Sequence, residues 1–171
     1  MNKQQLATKI WESANKMRSK IEASEYKDYI LGFIFYKFLS EREENFLKRD
    51  GYEEADLNTV TEDDQDVVDY LQTRIGYFIS YDNLFSTWLK MKSDFDVSNV
   101  TDALSAFSRL ISDNYKRVFD GIFQTLESGI SKLGSSSKEQ SKAVRDLIYL
   151  INDIPMDGQQ DYDVLGFIYE Y

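Results

Sequence analysis

The sequence predicts an all-α fold: a single compact helical domain of about seven helices. Three observations support this prediction. Apolar residues recur at intervals of three and four along most of the chain, a spacing that places them on one face of a helix. Side chains that favour helix ends stand before several of these stretches. The 171 residues, of which 42% are hydrophobic, are enough for one domain with a buried core.

The first predicted helix is amphipathic and basic, with lysines on the side opposite its apolar stripe. The stripe has spacings of four, four, three and four and consists of Leu6, Ile10, Ala14, Met17 and Ile21, with Trp11 beside it. We expect such a helix to dock on a neighbour through its apolar face.

The second predicted helix begins at Ser24, a good N-cap, and runs to about Arg49, before a glycine (Gly51) that can supply a left-handed stop. Its apolar middle, residues 29–39, is also compatible with a buried strand, because aromatic residues and Ile favour strands. Length decides for the helix, since about 25 residues separate the end signals and strands rarely exceed about ten. A helix that is apolar on most sides belongs at the centre of the core, where Gly32 would allow a neighbouring helix to approach closely.

The stretch from residue 50 to residue 66 is strongly acidic and predicts a solvated loop that leads into a helix. Its carboxylates are Asp50, Glu53, Glu54, Asp56, Glu62, Asp63, Asp64 and Asp66. Thr61, with Asp64 three residues later, is the predicted N-cap. The residues that the following helix would bury are Val67, Val68, Leu71 and Ile75.

The middle of the chain predicts three more helices separated by short breaks. Residues 76–81 are compatible with either an extended piece or a tight turn, and helix is expected to resume near Asp82. The inward residues of that helix would be Leu84, Phe85, Trp88 and Leu89. A further stripe consists of Val97, Val100, Leu104, Phe107, Leu110 and Ile111. Asn114 is expected to break it, before a shorter helix that would bury Val118, Phe119, Ile122 and Phe123.

The last third predicts a loop and two helices. Residues 128–137, SGISKLGSSS, are expected to form the loop, and Ser137 with Gln140 makes a capping-box signature. The helix that follows would bury Val144, Leu147, Ile148 and Ile151 and end before Pro155, the only proline. Residues 161–171 begin another helix without any stop signal, which predicts a chain cut in mid-helix from a longer protein.

The residue inventory excludes several kinds of active site. The chain has no His and no Cys, so it cannot form a serine–histidine triad, a thiol nucleophile or a zinc finger. Carboxylate pairs are expected by chance on solvated faces of a chain with 30 Asp and Glu residues, so a carboxylate-based hydrolase has no motif in its support. No apolar leader follows Met1, and the run at residues 29–39 is too short to cross a bilayer, which predicts no membrane association. The absence of Cys fits a cytoplasmic protein.

The charge is unevenly distributed. A net charge of −10 argues against a free-standing DNA-binding module. Residues 1–20, however, carry a net of +4, which leaves −14 for the remainder. A local cationic surface is enough for phosphate contacts. The candidate DNA contacts on this basic helix are Lys9, Lys16, Arg18 and Lys20, and the alternative role for the same side chains is solvation of a surface helix. Aromatic residues such as Trp88 and Phe107 are expected to pack in the core rather than stack on bases.

Five short elements in order resemble one family. They are Ile10-Trp11, Lys16–Arg18, Glu25-Tyr-Lys-Asp-Tyr-Ile-Leu31, Phe35-Tyr-Lys-Phe-Leu-Ser40 and the terminal Asp163-x-Leu165-Gly166-x-x-Tyr169-Glu170-Tyr171. Together they resemble the N-terminal part of the methyltransferase (modification) subunit of type I restriction-modification systems. The chain departs from the family at Arg18-Ser19, where many relatives have Arg-Gly.

The resemblance implies a role within a larger enzyme. Residues 1–160 would be the helical N-terminal domain, and residues 161–171 the start of a linker helix into a catalytic domain. The parent would methylate adenine N6 in DNA with S-adenosylmethionine, together with a second modification subunit, a specificity subunit and, for cleavage, a restriction subunit. The domain itself would assist assembly and help to clamp the complex around DNA.

The chemistry of adenine methylation is missing from the chain. The (Asn/Asp)-Pro-Pro-(Tyr/Phe) motif that holds a flipped adenine cannot be formed with Pro155 alone. A G-x-G turn for the cofactor cannot be formed either, because none of the 8 glycines are two residues apart. We therefore expect this chain to act without catalysis, cofactor or metal of its own.

The acidic composition leaves a second hypothesis open: an acidic helical protein–protein adaptor or a DNA mimic. A mimic needs a dense, continuous stripe of carboxylates, whereas Lys and Arg are interspersed throughout this chain. Salt-dependent DNA binding would distinguish the two hypotheses.

Overall fold

The computed structural model describes residues 23–153, together with Gln5, Thr8 and Glu12, three positions with helical backbone. This part of the chain contains six α-helices, four short 3₁₀ helices and no strand. The α-helices are α1 (Ala23–Arg49), α2 (Gln65–Arg74), α3 (Phe85–Met91), α4 (Val97–Leu110), α5 (Asp113–Gly129) and α6 (Ser137–Asn152). The all-α prediction is confirmed. Within the same residues, no helix combines the length and the apolarity that a bilayer span requires.

Two of the predicted segments fall largely or wholly outside these residues. They are the basic helix of residues 6–21, apart from Thr8 and Glu12, and the terminal segment of residues 161–171. The predictions made for them, including the domain boundary at residue 160, stay predictions.

Helix α1 ends where the sequence predicts, but its predicted start is wrong. It is already helical at Ala23, so Ser24 lies inside the helix and its prediction as N-cap is wrong. At the other end Gly51 has φ +100°, which a glycine adopts without steric penalty. The Gly51 amide donates to the Lys48 carbonyl at 3.1 Å, and the Tyr52 amide donates to the Leu47 carbonyl at 3.1 Å. These two bonds form a Schellman motif, which satisfies the last carbonyls of the helix.

Residues 29–39 of α1 are buried on nearly all sides, as predicted for a central core element. The fully buried apolar residues of this stretch are Tyr29, Ile30, Leu31, Phe33, Ile34, Tyr36 and Leu39. A Cβ placed on Gly32 would lie 3.3 Å from Cδ2 of Leu126 in α5. The prediction that Gly32 allows a neighbouring helix to approach closely is therefore confirmed.

The chain divides into two units. Unit 1 consists of Met1–Phe35 and Gln124–Tyr171, and unit 2 of Tyr36–Phe123, so that α1 and α5 contribute residues to both. The described core of unit 1 combines the start of α1 with the end of α5 and the inner face of α6. Besides the α1 residues it contains Leu126, Ile130, Leu133, Ala143, Val144, Leu147, Ile148 and Ile151.

The core of unit 2 contains a cluster of aromatic rings. Tyr36 stacks on Trp88 with ring centroids 4.9 Å apart and planes 10° from parallel. Phe107 meets Phe123 edge to face at 5.2 Å and Tyr77 at 5.6 Å. Such pairs contribute about 0.5–1.5 kcal/mol each beyond the area that they bury. Trp88 and Phe107 are thus packing residues, as expected.

The acidic stretch is more ordered than the predicted loop. It contains a 3₁₀ helix at Glu54–Thr59, which Leu57 and the adjacent Val60 anchor in the core of unit 2. The N-cap of α2 is Asp64, whose carboxylate accepts from the Val67 amide, so the prediction of Thr61 is wrong. An aspartate caps at least as well as a threonine, which makes the later start equally favourable.

The segment between α2 and α3 begins with buried residues that have no regular secondary structure. Residues 77–80 form no helix, and Tyr77, Phe78 and Ile79 are almost fully buried. Gly76, at φ +93°, begins the segment. Helix α3 starts at Phe85, three residues later than predicted, because Tyr81–Asn83 form a 3₁₀ turn first.

The break between α4 and α5 lies earlier than predicted. Ile111 is extended and buried, and the amide of Ser112 donates to the Gly76 carbonyl at 2.8 Å. Asn114, the predicted breaker, lies in the first turn of α5.

The predicted loop of residues 128–137 is mostly helical. Helix α5 continues to Gly129 and a 3₁₀ helix follows at Ile130–Leu133, because Ile130 and Leu133 are drawn into the core of unit 1. The N-cap of α6 is Ser136 rather than Ser137, and its hydroxyl accepts from the Glu139 amide at 3.2 Å.

Candidate interaction surfaces

The four cations predicted from the sequence to contact DNA have no described position. Lys9, Lys16, Arg18 and Lys20 lie outside the described residues, so their grouping on one basic face stays a prediction. The structure does describe three other features: an acidic segment, a buried carboxyl group and the outer face of α6.

The acidic segment, defined as residues 50–69, contains nine carboxylates and no Lys or Arg. Its carboxylate-bearing residues are exposed. Across the described residues, no group of three or more His, Cys, Asp or Glu side chains could hold a metal ion. The acidic segment therefore exposes its charge to the solvent.

Basic side chains from elsewhere in unit 2 pair with this segment. Glu54 lies 2.9 Å from Lys48 Nζ and 3.5 Å from Lys90 Nζ, and Glu62 lies 2.7 Å from Arg109 Nη1. The hydrogen bond with Lys48 lowers the pKa of Glu54, and the same bond raises the pKa of Lys48. These pairs are solvent-exposed, so each contributes little, about 0–1 kcal/mol.

Several other carboxylates of the segment bind their own backbone or a neighbouring side chain. Asp56 accepts from the Glu53 amide at 2.9 Å, Asp64 caps α2, and Asp69 accepts from Gln65 at 2.8 Å. Asp50 accepts the Tyr70 hydroxyl at 2.7 Å, a bond that raises the pKa of Tyr70. Carboxylates used in this way do not form the continuous unpaired stripe of a DNA mimic, which counts against that hypothesis.

A buried polar cluster fastens the extended segment to α1. The Ile79 amide donates to Glu43 Oε1 at 2.7 Å, the Phe85 amide donates to Ser40 Oγ at 3.2 Å, and the Tyr77 hydroxyl donates to the Leu39 carbonyl at 2.8 Å. Backbone amides that no helix satisfies thereby find acceptors on α1, which a buried extended segment requires.

Glu43 is the unusual member of this cluster, because it is fully buried and Oε2 has no hydrogen-bond partner. Burial raises the pKa of Glu43 well above its ordinary value, and the Ile79 hydrogen bond opposes that shift only in part. Burial also raises the pKa of Tyr36 and of Tyr77. Burial in this setting favours the neutral form of the carboxyl group, whose Oε1 acts as a structural acceptor.

The sequence contains a signal for this cluster that the sequence analysis did not use. Tyr36, Ser40, Glu43 and Leu47 recur at spacings of four, three and four. Two polar residues therefore share a helix face with two apolar ones, which predicts that the polar pair is buried and needs partners.

The outer face of α6 is basic. Lys138 and Lys142 are exposed and Arg145 is half-buried, while Tyr149 is 39% exposed. These residues recur at spacings of four, three and four, so they lie on one side of the helix. Its opposite side is the buried one, formed by Ala143, Val144, Leu147, Ile148 and Ile151. Only that inner side is among the features predicted from the sequence.

Comparison with known proteins gives a consistent result. Residues 6–151 match the family model described as the HsdM N-terminal domain. The type I restriction enzyme MpnII methylase subunit of Mycoplasma pneumoniae is 27% identical over an alignment of 180 positions, which covers 95% of this chain and 33% of that protein. The crystal structure of the type I restriction-modification system methyltransferase subunit from Streptococcus thermophilus matches with a TM-score of 0.77 and 26% identity, over 99% of this chain and 38% of that one. The chain thus spans about a third of the length of these relatives.

Proposed function

Since the chain belongs to the HsdM N-terminal domain family, we propose that it is the N-terminal domain of a type I restriction-modification methylase subunit and acts by binding. The observation that carries the proposal is the family match, which runs through residues 6–151. Both relatives described above are methylase or methyltransferase subunits by name. The domain would occupy residues 1–160, and residues 161–171 would begin the helix that leads into the catalytic domain.

The chemistry of methylation is assigned to the remainder of the parent protein. The parent would transfer a methyl group from S-adenosylmethionine to adenine N6 in DNA. This chain has neither the adenine-binding motif, which a lone proline cannot form, nor the G-x-G turn for the cofactor, which its glycines cannot form.

The contribution of this chain is assembly and closure around DNA. Its partners would be a specificity subunit, a second modification subunit and, for cleavage, a restriction subunit. Lys9, Lys16, Arg18 and Lys20 remain the proposed contacts with DNA phosphates, on the helix predicted for residues 6–21, because residues 1–20 carry a net +4 in an otherwise acidic chain.

Co-assembly tests this proposal. The purified chain is mixed with the cognate specificity subunit and duplex DNA, and the mass of the eluting species is measured by size-exclusion chromatography with light scattering. We expect a single complex that contains the chain, together with a loss of DNA affinity when Lys9, Lys16, Arg18 and Lys20 are all replaced by glutamine.

The control replaces three exposed lysines of unit 2, as Lys90→Gln, Lys92→Gln and Lys116→Gln. This control should leave complex formation unchanged and the DNA affinity within about twofold of the original, because these side chains have no proposed contact with DNA or with another subunit. A chain that elutes separately from the specificity subunit, with and without DNA, would contradict the assembly role.

A further inference from the structure

The basic face of α6, defined as Lys138, Lys142 and Arg145 with Tyr149 at its end, has the geometry of an extended contact. At 100° per residue, the four side chains fall within an arc of about 60°. Lys138 and Arg145 are about 10 Å apart along the helix axis, given a rise of 1.5 Å per residue. That length corresponds to about three nucleotide steps of one strand of duplex DNA, at about 3.4 Å each.

The cations of this face are not neutralised by ion pairs within the described residues. No ion pair joins Lys138, Lys142 or Arg145 to a carboxylate there, although the chain contains 30 Asp and Glu residues. Glu139 lies on the flank of the face, and its carboxylate accepts from the amide and the hydroxyl of Ser135 at 2.9 and 2.8 Å. Asp146 and, just after the end of α6, Asp153 are the other carboxylates beside the face, and both are exposed.

The charge balance of the two units also favours this location. Unit 2 has ten Lys and Arg against 18 Asp and Glu, a net of −8, whereas residues 124–153, the described part of unit 1 that contains α6, have four against four. A polyanion is therefore repelled mainly by unit 2. Local patches of unit 1, such as the α6 face, are the less unfavourable places for it to bind.

We propose that Lys138, Lys142 and Arg145 on the outer face of α6 bind the phosphate backbone of duplex DNA. The inference rests on the proposed function, in which DNA is the partner, and adds a second contact surface to the first helix. Arg and Tyr are enriched in protein–protein interfaces but lysine is depleted there, whereas both Lys and Arg make phosphate contacts. Because two of the three cations are lysines, the composition of the face fits a nucleic acid better than an acidic protein surface.

The test compares two variants of the full chain that remove the same charge. One is Lys138→Gln, Lys142→Gln, Arg145→Gln, and the control is again Lys90→Gln, Lys92→Gln, Lys116→Gln. Binding to a fluorescent duplex is measured by anisotropy between about 25 and 200 mM salt. The α6 variant should weaken binding at least about tenfold at low salt, and it should reduce the slope of log K against log salt by about 2.7, since each phosphate contact contributes about 0.9.

The control variant should change the affinity by less than about twofold and leave the slope unchanged. Circular dichroism of both variants verifies that α6 remains folded. An α6 variant with unaltered affinity and slope would overturn the inference, as would an equal loss in the control or a chain without any DNA binding at low salt. If the α6 variant instead loses the specificity subunit but keeps DNA, the face contacts protein and the inference is wrong while the assembly role stands. If the α6 variant shows the expected salt-dependent loss of DNA binding but the chain forms no complex with the specificity subunit, the result supports this inference and contradicts the assembly role.

Discussion

Replacement of Glu43 by glutamine is expected to give a variant whose stability relative to the original rises as the pH increases from about 4 to 7. Glu43 is fully buried, its Oε1 accepts from the Ile79 amide, and its Oε2 has no partner. Burial raises the pKa of Glu43 in the folded state above that of the unfolded chain. The neutral carboxyl therefore contributes its full stability below the unfolded pKa of about 4.3, and that stability is lost as the pH rises towards the folded pKa.

A glutamine keeps the carbonyl acceptor for Ile79 and never ionises. The variant should therefore gain about 1.4 kcal/mol over the original for each pH unit between the unfolded and the folded pKa of Glu43. Urea unfolding at about pH 4, 5.5 and 7 measures this difference. The control is Glu127→Gln, an exposed residue of α5, for which no such trend is expected. A difference between the original and the Glu43 variant that is constant with pH would show that the carboxyl is not held neutral.

Two glycines of α5 should respond to alanine with opposite signs. A Cβ on Gly129 would overlap the ring of Tyr29, which is only 3% exposed, so the substitution overpacks the core of unit 1 by about 1–3 kcal/mol. A Cβ on Gly121 meets nothing within 4 Å, so Gly121→Ala should gain about 0.5–1 kcal/mol of helix propensity.

Thermal unfolding distinguishes the two, because 1 kcal/mol corresponds to about 2–4 °C in Tm for a chain of this size. The melting temperature should fall for Gly129→Ala and rise for Gly121→Ala. The double variant Gly129→Ala, Tyr29→Leu should recover part of the loss, since leucine lacks the ring atoms that overlap. Stabilisation by both single substitutions would contradict the close packing of Gly129 on Tyr29.

The sequence predicts those parts of the fold that depend on local patterns. The end of α1 at its Gly51 stop follows from signals within the segment itself, and so does the burial of residues 29–39. The position of the break after α4 does not, because Ser112 bonds to the Gly76 carbonyl, 36 residues earlier in the chain. No window of the sequence around Asn114 contains that information.

Errors at helix starts have a different cause. The run Ser135–Ser137 offers three serines as caps, and the sequence alone does not rank them. The structure selects Ser136, which lies three residues before the Glu139 amide that it accepts. Degenerate capping residues of this kind leave an uncertainty of one or two residues at a helix end.

The candidate surfaces were less predictable than the fold. The contacts of Lys9, Lys16, Arg18 and Lys20 stay a prediction, because these residues lie outside the described part of the chain. The sequence shows the cations of the α6 face at spacings of four and three. Their exposure, and the absence of ion pairs to them within the described residues, required the structure. Glu43 required the structure, since its partner is the backbone of a distant extended segment.

The central claim is that this chain binds while the rest of the parent enzyme transfers the methyl group. A methyl-transfer assay tests this claim most directly. Incorporation of labelled methyl groups into target DNA is measured for the complete parent enzyme, for the same enzyme without residues 1–160, and for the present chain alone. We expect no transfer by the chain alone, and at least a tenfold loss, about 1.4 kcal/mol in transition-state free energy, for the shortened enzyme, which should still bind S-adenosylmethionine. Full activity of the shortened enzyme, or methyl transfer by the chain alone, would contradict the proposed role.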